Sequence, residues 1–118
     1  MKTILIADDS ASMRKLLEMI LKTEGHAILI AEDGREALNL AFDNEIDAII
    51  ADQEMPNLTG SEVFKILNTD PEKRSIPRIL ISGLTASDDK PASELFDVFI
   101  SKNADLKPEL LAALDKLL

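Results

Sequence analysis

Cysteine, tryptophan and tyrosine are all missing from this 118-residue sequence, and histidine occurs once. Without cysteine there is no disulfide and no thiolate metal site, and a reducing compartment is the default expectation. With four phenylalanines as the whole aromatic complement, the usual platforms for stacking nucleic-acid bases are missing. Positive charge is scarce as well: 13 Lys and Arg stand against 22 Asp and Glu, a formal charge of −9. Phosphate backbones are held by Lys and Arg, so no direct nucleic-acid binding is expected; an acidic surface suits a protein partner with a basic patch. Long apolar runs are missing too. The stretch from Ile4 to Ala7 stops at Asp8 and Asp9, too short for a signal peptide or a membrane span, so a cytoplasmic protein without membrane insertion is expected. Neither Gly-x-Gly-x-x-Gly nor a phosphate-binding Gly-Lys loop occurs.

What is present is a regular alternation of short apolar runs with helix-period segments. The length predicts one domain, residues 1–118, able to bury a core without staples. Ile4 to Ala7 reads as a strand buried on both faces. Met13, Leu16, Leu17, Ile20 and Leu21 then recur at i, i+3, i+4, i+7 and i+8, with Ser10 or Ser12 as cap and Gly25 just past the end. A second strand covers Ala27 to Ala31, and Asp33 and Gly34 open a helix with Ala37, Leu38 and Ala41 inward. The third strand runs from Ala48 to Ala51 and ends at Asp52. A loop with Pro56 and Gly60 leads to a helix carrying Val63, Phe64, Ile66 and Leu67, and Asp70 to Arg74 reads as a solvated turn. Arg78 to Ile81 is the fourth strand, Val98 to Ile100 the fifth, and a last helix from Pro108 turns Leu110, Leu111, Leu114, Leu117 and Leu118 inward. Between these strands, residues 83–93 have little helical periodicity and include Pro91, so a short or irregular helix is expected there. His26 reads as a surface histidine, and Met13, Met19 and Met55 as packing residues. The pattern implies an α/β fold: a doubly wound five-stranded parallel sheet, order 2-1-3-4-5, with helices on both faces.

In such a sheet ligands bind beyond the carboxyl ends of the strands, near the reversal in strand order. Those ends carry Asp8 and Asp9, Asp52, Ser82 and Lys102. Carboxylates brought together repel one another unless a cation is bound. Mg²⁺ suits them, because it takes one or two carboxylates and keeps room for waters and a phosphate; Mn²⁺ is an alternative. Lys102 can neutralise a phosphoryl group and the Ser82 hydroxyl can hydrogen-bond one of its oxygens, which leaves the central Asp52 as nucleophile.

The fragments ILIADDSASMRKLL, IIADQEMPNLTG, PRILISG and FISK, in that order across essentially the whole chain, resemble the receiver domains of two-component response regulators. The resemblance implies a CheY-like, flavodoxin-like fold and a signalling domain that catalyses only its own phosphorylation and dephosphorylation. It implies that Asp8, Asp9, Asp52 and the main-chain carbonyl of Glu54 hold Mg²⁺, and that Asp52 accepts the phosphoryl group with Lys102 as its catalytic phosphate partner. Ser82 and Phe99 would be the switch pair that rearranges on phosphorylation. The implied partners are a sensor histidine kinase or phosphotransfer protein, and a downstream protein or attached effector domain, with dimerisation on phosphorylation as one output.

The chain departs from the family pattern in four places. Asn103 stands after Lys102 where the family usually has proline, often cis, and a trans bond is expected here because a non-proline cis bond costs about 3 kcal/mol. The segment between Ser82 and Phe99 is shorter than usual, so partner recognition is expected to be unusual. Phe99 lacks the hydroxyl of the frequent tyrosine, which favours a buried ring. Glu54 adds a negative charge beside the acceptor and is expected to alter phosphoryl lifetime. The competing function is a phosphorylation-independent docking or dimerisation module on the same fold. A haloacid dehalogenase-like phosphatase would need a second Asp where Glu54 stands, and a flavodoxin's cofactor phosphate would be repelled by Asp8 and Asp9.

Overall fold

The computed structural model describes residues 2–83, 93–102 and 105–118. Five strands, β1 (Thr3–Ala7), β2 (Ala27–Ala31), β3 (Ala48–Asp52), β4 (Arg78–Ser82) and β5 (Val98–Ser101), form one parallel sheet in the order β2-β1-β3-β4-β5. Four helices connect or follow them: α1 (Ala11–Thr23), α2 (Gly34–Asp43), α3 (Gly60–Asn68) and α4 (Leu106–Leu117). This is the expected doubly wound, flavodoxin-like arrangement. Between β4 and β5 the described residues contribute one 3-10 turn, Ser93–Leu95. Residues 84–92, with Pro91, and Asn103, with its expected trans bond, lie outside the described residues. Among the described residues no helix is long and apolar enough to cross a membrane.

Side chains alternate along each strand, so the sheet serves two cores at once. Leu5, Ala7, Ile49, Ala51 and Leu80 join Ala37, Ala41, Val63, Phe64 and Leu67 on the α2/α3 side. Ile4, Ile6, Ile50, Ile79 and Ile81 join Leu17, Ile20, Leu21, Leu110 and Leu114 on the α1/α4 side. Central strands β1, β3 and β4 are therefore buried at nearly every position, while the edge strands β2 and β5 are only partly covered.

Local signals fix the helix ends. Ser10, rather than Ser12, caps α1 by accepting from the Met13 N–H at 3.3 Å, and Gly25 takes the left-handed conformation beyond it, φ 84°. Asp33 caps α2 through the Glu36 N–H at 2.8 Å. Thr59 and Glu62 form a reciprocal capping box on α3.

Several expected burials are corrected. Leu16, Met19, Ile66 and Leu118 are exposed, at 44, 60, 36 and 41%. Leu16 and Ile66 lie at the margin of a helix's apolar stripe, Met19 lies on the face of α1 opposite Leu17, Ile20 and Leu21, and Leu118 follows the last turn of α4. The turn after α3 is not wholly solvated: Lys73 is buried and donates to the Asn44 carbonyl at 3.1 Å. His26 is half-buried rather than on the surface, with its Nδ1 shielded from solvent. Phe99 is half-buried, because β5 is an edge strand.

Candidate functional site

The strand order reverses between β1 and β3, and the residues leaving the carboxyl ends of these two strands meet there. The ladder carries Asp8 past β1, its N–H donating to the Ala31 carbonyl at 3.2 Å. Its Oδ1 then accepts the Ser10 N–H at 2.8 Å, which turns the chain into α1 and holds the carboxylate over the sheet edge. Arg14, one turn into α1, donates to the Asp8 carbonyl at 2.8 Å and pairs with Glu32 at 3.2 Å. Asp8 is buried, at 1% exposure, whereas Asp9 next to it is exposed.

Asp52 ends β3, also at 1% exposure. The Lys102 amine, one residue beyond β5, donates to its Oδ2 at 2.8 Å, and the Glu54 N–H approaches Oδ1 at 3.3 Å. Lys102 reaches this position because its own N–H extends the ladder onto the Ser82 carbonyl, at 2.8 Å. Burial pushes the Asp52 carboxyl up to about 6, with the Asp8 charge adding to the rise and the Lys102 bond opposing it. Burial also raises Asp8, against its bond from Ser10. Desolvation alone would lower Lys102; its bond to Asp52 and the charges of Asp52, Asp8 and Glu54 outweigh that and hold it above the ordinary lysine value.

Ser82 ends β4 fully buried. Its hydroxyl donates to Glu54 Oε2 at 2.7 Å, while the Gly83 N–H donates to Glu54 Oε1 at 3.0 Å. Phe99 lies on the neighbouring strand opposite Leu80, two register positions before the Ser82 level, with its ring 5.7 Å from that of Phe96. The geometry thus brings Asp8, Asp9, Asp52, Ser82, Lys102 and Glu54 to one edge and sets Phe99 on the neighbouring strand, opposite Leu80. Arg14 is absent from the sequence expectations, and Glu54, expected there as a charge beside the acceptor and a main-chain metal ligand, is also the partner of Ser82. For Arg14 the available clue was its place in the first turn of the helix that follows two aspartates.

Asp8, Asp9 and Asp52 each offer a carboxylate oxygen within 4.8 Å of the others. Among the described residues Asp8 Oδ2 is buried without a hydrogen-bond partner, a costly state for a carboxylate that a cation would relieve. An all-oxygen donor set of this kind fits a hard divalent ion such as Mg²⁺.

Comparison with known proteins agrees with this geometry. The family model of the response regulator receiver domain matches residues 4–115. The response regulator RR06 of Streptococcus pneumoniae serotype 2 is 34% identical over 113 residues, covering 96% of this chain and 49% of that protein. The chemotaxis protein CheV2 of Helicobacter pylori is 33% identical over 108 residues, covering 86% of this chain and 34% of that protein. The chain thus spans half or less of these relatives. It spans 72% of the polar-differentiation response regulator DivK of Brucella anthropi, 32% identical over 89 residues and 75% of this chain. Among solved structures, the response regulator protein TrrA of Thermotoga maritima, in complex with Mg(2+)-BeF, superposes with a TM-score of 0.89 at 34% identity over 100% of both chains. CheY4 of Vibrio cholerae superposes at 0.90 with 29% identity, over 100% of this chain and 99% of that one. With the fold, the acidic edge and these likenesses in agreement, the chain belongs to the response regulator receiver domain family.

Proposed function

We propose that residues 1–118 act as one phosphoacceptor receiver domain, cytoplasmic, that takes a phosphoryl group on Asp52 from the phosphohistidine of a sensor kinase or phosphotransfer protein. One observation carries the reading: a buried Asp52 carboxylate bonded to Lys102 at 2.8 Å within a cluster of three carboxylates. An Asp52 oxygen forms the new bond to phosphorus as the phosphorus–nitrogen bond breaks; the electron pair leaves with the imidazole, which takes up a proton. Asp8, Asp9, Asp52 and the Glu54 main-chain carbonyl would hold Mg²⁺, or Mn²⁺ in its place. The bound ion supplies positive charge against the phosphoryl oxygens. TrrA, crystallised with Mg(2+)-BeF, supports that choice of metal. Lys102 lets go of Asp52 Oδ2 to bind a phosphoryl oxygen, and its partial burial limits screening of its charge by water.

Phosphorylation adds about 1.5 to 2 negative charges at neutral pH. Ser82 then binds the phosphoryl group, and Phe99 repacks along β5. A groove of about 280 Å³ lies there beside α4, lined by Val98, Phe99, Ile100, Ala112, Ala113 and Lys116. A downstream protein or attached effector domain reads the altered face, with dimerisation on phosphorylation as one output. In this scheme the domain catalyses only its own phosphorylation and dephosphorylation.

Acetyl phosphate with Mg²⁺ tests the reading by intact mass, with Asp52→Asn alongside. A labile adduct of one phosphate on the wild type alone is expected. Its absence, with Mg²⁺ bound, would replace the reading with a phosphorylation-independent docking module.

A further inference from the structure

Glu54 is an exposed residue whose side chain is nevertheless held at both oxygens. Its Oε2 accepts the Ser82 hydroxyl at 2.7 Å, and its Oε1 accepts the Gly83 N–H at 3.0 Å. Its own N–H points at Asp52 Oδ1, 3.3 Å away, so backbone and side chain bracket the space between the acceptor and the end of β4. The Glu54 charge also contributes to holding Lys102 protonated. The carboxylate therefore sits as an anion on a hydroxyl and a backbone amide, the donor types that bind phosphoryl oxygens.

A serine hydroxyl has one proton to donate. The Ser82 proton that serves Glu54 cannot at the same moment serve a phosphoryl oxygen, and two anions on these adjoining donors repel each other. We propose that Glu54 is an internal anionic latch: in the unmodified protein its carboxylate holds Ser82 and Gly83, and it has to leave before a phosphoryl group on Asp52 can take the Ser82 hydroxyl. The proposal rests on the phosphoacceptor reading of Asp52 and adds a barrier built into the resting site. Release requires no repacking, because Glu54 is exposed and swings into water. The latch ties the β3–α3 turn to Ser82 and Gly83 at the end of β4.

The test compares wild type with Glu54→Ala and Glu54→Gln, using acetyl phosphate and Mg²⁺ and following intact mass with time, in low salt and in 1 M salt. The Gly83 amide resonance is recorded in each protein before the phosphodonor is added. The latch predicts uptake faster by about tenfold in Glu54→Ala, the scale of one charge-assisted hydrogen bond. It also predicts that the acceleration persists in 1 M salt, where charges are screened beyond about 3 Å, and that the Gly83 amide proton moves upfield without phosphate. Equal rates overturn it. So does an acceleration that vanishes in 1 M salt with the Gly83 resonance unmoved, which would be through-space repulsion alone. No adduct on any of the three proteins sinks the phosphoacceptor reading and the competition with it. That outcome is distinct from failure of the latch alone, in which all three proteins take up phosphate at one rate.

Discussion

At Asp52 two effects oppose each other: burial lifts the carboxyl to about 6 from 3.8, and the bond to Lys102 pulls it back. The folded state therefore holds the proton more tightly than the unfolded state between these two values. Stability falls as pH rises through that window, and the cost is complete above about 6. At neutral pH an ionised Asp52 costs roughly 2–3 kcal/mol in the metal-free protein, at 1.36 kcal/mol per pH unit of displacement. Asp52→Asn has no such titration. In EDTA, the urea-unfolding stability of wild type relative to Asp52→Asn is expected to decline from pH 4 to pH 6.5 and then level off. Parallel profiles would place Asp52 at its ordinary value.

One element positions the acceptor from beneath, and a second closes the far end of the same helix. The first turn of α3 packs directly under the acceptor: a Cβ built on Gly60 would lie 2.6 Å from the Asp52 carbonyl oxygen and 2.7 Å from Leu80 Cδ1. The Leu80 methyl can move, but the Asp52 backbone can do so only by displacing the nucleophile. Gly60→Ala is expected to cost about 1–3 kcal/mol by overpacking and to slow phosphate uptake from acetyl phosphate as well. A urea midpoint that drops with an unchanged uptake rate would show that α3 yields instead of β3. At the opposite end of β4, Arg78 is buried at 3% exposure and binds the carbonyls of Phe64, Lys73 and Arg74, and the Asn68 side chain, above the Phe64 ring. It closes the carboxyl end of α3 and the turn that follows. Arg78→Met leaves those acceptors unpaired in the interior, and a loss of roughly 2–4 kcal/mol is expected by urea unfolding. A loss below about 0.5 kcal/mol would mean that water replaces the guanidinium freely.

For the whole molecule, a parallel sheet with two cores is what makes a repulsive carboxylate cluster tolerable. The apolar strands β1, β3 and β4 supply the burial stability, and the carboxylates at their ends draw on it. A divalent ion that binds the folded site returns part of that cost, because ligand binding to the native state alone stabilises it. Mg²⁺ at a hundred times its dissociation constant is expected to add about 2.7 kcal/mol, a rise in melting midpoint of roughly 10 °C for a domain of this size. Asp8→Asn is expected to abolish most of that rise in calorimetry, since Asp8 Oδ2 is buried without a partner among the described residues. An undiminished rise would move the ion away from Asp8. The charge of −9 adds a general preference for cations, so K⁺ at matched ionic strength is the reference for the effect.

Much of this was legible along the chain because it is written in local periodicity. The strands stand out as runs such as Ile4 to Ala7 and Ala48 to Ala51, and the helix starts at Ser10 and Asp33 are short-range chemistry. The sequence by itself determined the five strands and, through the doubly wound fold class they match, the edge at which Asp8, Asp9, Asp52, Ser82 and Lys102 meet. Partnerships between side chains far apart in the chain were decided only by the tertiary structure. Glu54 on Ser82, 28 residues away, and Arg14 on Glu32, 18 residues away, depend on loop direction and rotamer rather than on period. Arg78 is the sharpest case. A charged residue opening a strand ordinarily faces water; here the carbonyl ends of α3 and its following turn fold over it, and only their convergence makes burial of the guanidinium affordable.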